Sequence, residues 1–124
     1  MKYKLIKRSN PQNKSQRKWY ASPVNEGKIT KKDINKVIVS MSSLSRGEVS
    51  NVIENLFEVI PTYLLMGKSV NLGEFGTFRL SFSSEGVENP EEFTSELING
   101  VKVIFTPGVE LKNVLKTVKF EKEK

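Results

Sequence analysis

Apolar residues at Ile34, Val37, Ile38 and Met41 recur at the three- and four-residue intervals of one helix face. Thr30 and Asp33 precede them at the spacing of a capping box, so a short amphipathic helix is predicted to start there. Ser42-Ser43-Leu44 breaks the pattern. Ser45 with Glu48 opens a second, longer helix whose stripe is Val49, Val52, Ile53, Leu56, Phe57, Ile60 and Leu64. Pro61 lacks the amide hydrogen that would reach the Phe57 carbonyl, which predicts a kink or a fresh turn. Gly67 is placed to end the helix.

Elsewhere the period shortens to two. Residues 2–8 and Arg17–Ser22 alternate as strands, and the polar stretch 9–16 between them reads as a loop, so an N-terminal β-hairpin is expected. Pro23 and Gly27 separate it from the helices. Ser69–Leu72 and Thr77–Phe82 read as short strands joined by a reversal at Gly73 and Gly76, from which Phe75 and Phe78 project. Residues 83–100 form a loop or protruding arm. Val101, Val103 and Phe105 alternate as a further strand, and Thr106-Pro107-Gly108 leads into a final helix with Leu111, Val114, Leu115 and Val118 on one face.

The 124 residues suit one small domain, and they include no cysteine and no histidine. That composition offers no disulfide framework, no thiolate or imidazole metal site and no histidine-dependent catalysis. No run approaches the ~18 apolar residues of a membrane span, and the first residues lack the apolar core of a signal peptide. A cytoplasmic protein is expected. The net charge of +6 is unevenly placed. Residues 1–36 hold eleven Lys/Arg and two acids (+9), residues 37–100 three and nine (−6), and residues 101–124 six and three (+3). Basic ends fit either a polyanionic partner or simple solubility.

The order of elements, with Gly67-Lys68-Ser69-Val70, then Gly73-Glu74-Phe75-Gly76-Thr77-Phe78, and Phe105-x-x-Gly108-x-x-Leu111-Lys112 beyond the arm, resembles the HU/IHF family of bacterial DNA-bending proteins. The likeness covers residues 29–119, and the N-terminal hairpin is similar to the extension of longer HU-like variants. The resemblance implies an α+β, intertwined homodimer. Each subunit would contribute a helical hairpin, a three-stranded antiparallel sheet with a β-arm and a C-terminal helix. Residues 1–28 would be the hairpin extension and 29–124 the DNA-binding domain, with its arm at 83–100. The expected partners are double-stranded DNA and a second copy, in the nucleoid, with no cofactor, metal, membrane or small-molecule substrate. Phe57, Phe75, Phe78, Phe82 and Phe105 are more large rings than one small subunit can bury, which independently favours a shared core.

The arm departs from the family. Where a basic tip reading Arg-Asn-Pro is implied, this chain reads Glu88-Asn89-Pro90-Glu91-Glu92, and residues 83–100 hold five Glu and no Lys or Arg. Asn89 and Pro90 correspond to a wedge that unstacks base steps, or they form an ordinary turn. Five carboxylates oppose the counterion release on which a cationic arm relies. The positive charge must then come from Arg79 and Lys102 on the strands, Lys112 and Lys116 on the last helix, and Lys2, Lys4, Arg17 and Lys18 on the hairpin.

Trp19 and Tyr20 beside Arg17 and Lys18 read either as a stacking platform or as anchors for the hairpin. Gly73 and Gly76 make no phosphate cradle, because no Gly-Lys-Ser/Thr follows. Glu91 and Glu92 lack the burial that would separate an acid from a base, so no catalytic residue is assigned and an enzyme is not expected. The expected function is architectural binding of duplex DNA through backbone phosphates with little sequence preference, with bending as a further property. The alternative is a structural dimer whose acidic arms hold a basic protein partner.

Overall fold

Both capping boxes form, and they set where the helices begin. Thr30 Oγ1 accepts from the Asp33 amide at 3.3 Å while Asp33 Oδ2 accepts from the Thr30 amide at 3.0 Å, opening α1 at Lys31–Met41. Ser45 and Glu48 make the same reciprocal pair at 3.2 and 3.1 Å and open α2 at Arg46–Leu65. Each box satisfies two of the amides a helix start leaves free. The computed structural model describes all residues, Met1–Lys124.

Pro61 neither ends α2 nor starts a new turn; the helix runs through it as one element to Leu65. It stops at Gly67, whose φ of +81° suits glycine. There the Lys68 amide reaches the Tyr63 carbonyl at 3.2 Å and the Gly67 amide reaches that of Leu64 at 3.0 Å. This is a Schellman ending, which returns donors to two orphan carbonyls.

The N-terminal hairpin is longer than its alternation indicates. Strands β1 (Lys2–Asn10) and β2 (Asn13–Pro23) meet across Pro11-Gln12, so most of the polar stretch 9–16 is strand rather than loop. Polar side chains hide a strand whose two faces are both wet. The Asn10 carboxamide accepts from the Gln12 amide at 2.9 Å and fixes the turn.

Strands β3 (Val70–Asn71), β4 (Gly76–Ser84) and β5 (Ile98–Pro107) form an antiparallel sheet in that order. Helix α3 spans Val109–Leu115, so Val118, expected on its apolar face, lies beyond it in a closing turn. A last strand, β6 (Glu121–Lys122), has no counterpart in the periodicity of the chain. It pairs in parallel with β1, Lys2 opposite Glu121 and Tyr3 opposite Lys122, giving a separate sheet of order β2-β1-β6. The hairpin is therefore not an edge of the β3-β4-β5 sheet.

Only four of 124 residues are buried: Asn35, Val49, Leu64 and Gly76. Val49, Ile53, Ile60 and Leu64 of α2 are buried or half-buried, but the adjacent stripe of Val52, Leu56, Val59 and Tyr63 is exposed. On α1, Ile34, Val37 and Met41, predicted to face the core, are exposed as well. Asn35 takes the buried position instead, its Nδ2 donating to Ser50 Oγ at 3.0 Å.

Candidate nucleic-acid interface

The two glycine motifs are two sides of one joint. After Asn71, Gly73 with φ +63° starts a single 3-10 turn through Phe75, and Gly76 follows at φ +154°. The Gly108 amide then donates to the Phe75 carbonyl at 2.8 Å. A Cβ on Gly76 would lie 2.5 Å from Phe105 Cζ and 2.6 Å from the Thr106 carbonyl oxygen, and one on Gly108 would collide with the Glu74 carbonyl. Glycine at both positions lets the turn, the end of β5 and the start of α3 touch.

Beyond that joint, the alternation of β4 and β5 gives the sheet two unlike faces. Phe78 stands opposite Phe105 and Leu80 opposite Val103, so these four share one face. The Phe105 ring lies 4.8 Å from that of Phe78 and 5.5 Å from that of Phe75, tilted by 45° and 46°. Thr77, Arg79 and Ser81 stand opposite Thr106, Ile104 and Lys102 and share the other face. Arg79 and Lys102 are diagonal neighbours there, both exposed.

Of the five phenylalanines expected in a shared core, the structure clusters Phe75, Phe78 and Phe105. Phe57 lies on α2 with its ring 5.7 Å from Lys31 Nζ, and Phe82 lies where the β4-β5 register shifts; both are exposed. Lys112 and Lys116 sit one turn apart at α3 and its C-cap, the end of a helix where cations are favoured. Lys2 and Lys4 are on β1, and Lys2 meets Glu26 at 3.6 Å. Arg17 and Lys18 are consecutive on β2 and so point to opposite faces of the hairpin.

The arm is a closed loop more than a ribbon. Strand pairing ends at Ser84 opposite Ile98, and the Glu85 amide bonds the Leu97 carbonyl at 3.0 Å. Beyond that, Pro90–Glu92 and Ser95–Leu97 are single 3-10 turns. Asn89 Nδ2 donates to Glu92 Oε1 at 3.1 Å, and the Glu92 amide donates back to the Asn89 carbonyl at 3.0 Å. Asn89 and Pro90 thus lie in a turn closed by their own hydrogen bonds.

Other groups come together only in the folded chain. Lys31, Lys32, Lys36 and Arg46 line a recess between α1 and α2, with Lys31 held 2.6 Å from Glu54. Lys7 Nζ lies 5.8 Å from the Trp19 ring, and the Arg8 guanidinium 4.9 Å from the Tyr20 ring. The hydrogen bonds of the capping boxes hold the Asp33 and Glu48 carboxyls below their ordinary range, chiefly the Thr30 amide for Asp33 and the Ser45 side chain for Glu48. No group of side chains is arranged to hold a metal ion, and no helix is long and apolar enough to cross a membrane.

Similarity to known proteins accords with this architecture. A family model described as an HU domain fused to a wHTH, Ig or glycine-rich motif, HU-HIG, matches residues 1–122. Integration host factor subunit alpha of Haemophilus influenzae is 35% identical over 86 residues, covering 68% of this chain and 90% of that protein. The subunit alpha of a Marinomonas species is 29% identical over 89 residues, 70% of this chain and 91% of that one. A crystal structure from Bacteroides vulgatus, described as a candidate bacterial DNA-binding protein, shares the fold with a TM-score of 0.66 at 20% identity. It matches 98% of this chain, which spans 47% of that longer one. With nearly its whole length matched, the chain belongs to the HU-HIG family of HU/IHF-like bacterial DNA-binding proteins.

Proposed function

We propose that the chain acts as a homodimer that binds duplex DNA through backbone phosphates with little sequence preference, bending it at most secondarily. The observation that carries this reading is the sheet with two opposed faces. One is an apolar face of Phe78, Leu80, Val103 and Phe105, on which Val103 stays exposed in the single chain, and the other is a polar face bearing Arg79 and Lys102.

The accessible surface supports the dimer. The single chain exposes 10616 Å², whereas a compact monomer of its 14.1 kDa mass would expose about 6,700 Å². The open N-terminal hairpin contributes to the excess, and so do the exposed apolar stripes of α1 and α2 with Phe57, Phe75 and Phe82, surfaces a second copy would cover. Residues 29–124 would then form the DNA-binding body, with 1–28 as an extension. Lys112 and Lys116 would add phosphate contacts to those of Arg79 and Lys102. Such contacts position a duplex without reading its sequence. The role is binding, with no chemical step, and it places the protein in the nucleoid.

The acidic loop 85–97, which carries no cation, favours the second reading, a dimer whose arms hold a basic protein. Random-sequence duplex DNA near physiological salt separates the two. Binding that disappears when Arg79, Lys102 and Lys112 are changed to Glu is the expected result. A chain that fails to retard DNA, or a mass equal to one chain by light scattering at micromolar concentration, would overturn the proposal.

A further inference from the structure

The β1-β2 hairpin is a ribbon without a body to lie on. Residues 1–25 hold seven Lys/Arg and no acid. Of these only Lys2, at the base, has a carboxylate partner, and β6 pairs with β1 only at Lys2 and Tyr3. The distal half, from Lys7 to Lys18, is open on both sides.

The register divides its cations between both faces. Lys4, Arg8 and Lys18 share one face with Ile6 and Tyr20, because Arg8 stands opposite Lys18 and Ile6 opposite Tyr20. Lys7 and Arg17 share the other with Leu5 and Trp19. Each face also holds a cation above a ring: Arg8 over Tyr20 and Lys7 over Trp19. A hairpin that merely anchored itself would turn its rings inward and its charges outward. This one instead leaves Trp19 63% exposed.

We propose that this hairpin, rather than the acidic loop 85–97, is the ribbon with which the chain enters a groove of duplex DNA; the inference rests on the DNA-binding function proposed above. Charge complementarity names the occupant. A ribbon carrying cations on both faces fits a space walled by phosphates on both sides, and the major groove is wide enough for two strands. The planar rings beneath Lys7 and Arg8 hold those cations extended at lower cost in side-chain freedom. The loop at 85–97, with five carboxylates, would be repelled from the same space.

Trp19 is the chain's one tryptophan and so reports on the hairpin directly. The test titrates the full chain with a random-sequence duplex, following Trp19 emission and retardation together across salt. It is repeated with a variant in which Lys7, Arg8, Arg17 and Lys18 are all Ser. A second variant carries Lys7→Arg, Arg8→Lys, Arg17→Lys and Lys18→Arg, keeping charge if the first fails to fold. Expected are a saturable change in Trp19 emission and a salt slope retained by the charge-keeping variant. In the serine variant the slope should be shallower by about 0.9 for each phosphate that is no longer neutralised. Retardation of DNA with Trp19 emission unchanged and the slope equal in all three proteins would overturn this proposal and leave DNA binding intact. Salt-sensitive self-association in the absence of DNA, abolished by the serine variant while DNA affinity is kept, would also overturn it, assigning the hairpin to a second copy. Absence of any DNA binding by the unaltered chain would overturn both.

Discussion

The amide of Gly108 donates to the carbonyl of Phe75 at 2.8 Å, tying the start of α3 to the turn before β4 across 33 residues of sequence. The Gly108 backbone, at φ −82°, is open to any residue, so what demands glycine is space: the Glu74 carbonyl occupies the site of a Cβ. Gly108→Ala should therefore cost about 1–3 kcal/mol through overpacking. Gly47→Ala is the counterpart, since it sits in α2 with nothing near its Cβ and should gain about 0.4–1 kcal/mol. Urea midpoints of the two variants, compared at equal protein concentration, check both signs.

Asn35 is the buried polar residue between α1 and α2, and its amide serves Ser50 Oγ at 3.0 Å and the Arg46 carbonyl at 3.4 Å. Removing it loses both bonds, and the exposed Ser50 hydroxyl turns to water instead. Asn35→Ala should cost about 0.5–1.5 kcal/mol. In a double-mutant cycle with Ser50→Ala, the combined loss should be smaller than the sum of the two single losses, because the pair shares one bond.

The capping carboxylates give the chain a defined response to acid. Asp33 and Glu48 have folded pKa values below their ordinary 3.8 and 4.5. A depressed folded value means that the unfolded chain binds protons first as the pH falls. Their contribution is complete above pH 4.5, declines below it, and is gone once the folded values are passed. Asp33→Asn and Glu48→Gln should each flatten the fall of urea midpoint between neutral pH and the acid limb. A profile identical to the unaltered protein's would contradict this.

Leu56 tests whether the open stripe of α2 is an interface. At 41% exposure in the single chain, a charge there would be nearly neutral if the chain worked alone. Leu56→Glu should instead lower the mass seen by sedimentation from two chains to one, or unfold the protein outright. A folded dimer at unchanged midpoint would show that this stripe faces water.

Local signals carry much of the architecture in the sequence. Ser45 and Glu48 locate the start of α2 because a cap acts within a few residues, and Gly67 locates its end for the same reason. Gly76 and Gly108 flag a joint, though not that they press on the same segment. What stays hidden is long-range or wet. The stripe on α1 correctly marks an apolar face, but Asn35, off that stripe, fills the buried place while Ile34, Val37 and Met41 stay exposed. Residues 9–16 resemble a loop in sequence because both faces of that ribbon are polar. Lys7 and Arg8 carry no signal of their own because their rings, Trp19 and Tyr20, lie on the neighbouring strand.

The parallel pairing of β6 with β1 has a consequence for assembly in the cell. Met1 and Tyr3 accept bonds from the amides of Glu121 and Glu123, at 3.0 and 2.8 Å. Strand β1 leaves the ribosome ahead of all three helices and the second sheet, so it must wait through their synthesis for this neighbour. Until then the hairpin has only its own partner strand, and a nascent chain halted after α3 would display it loose.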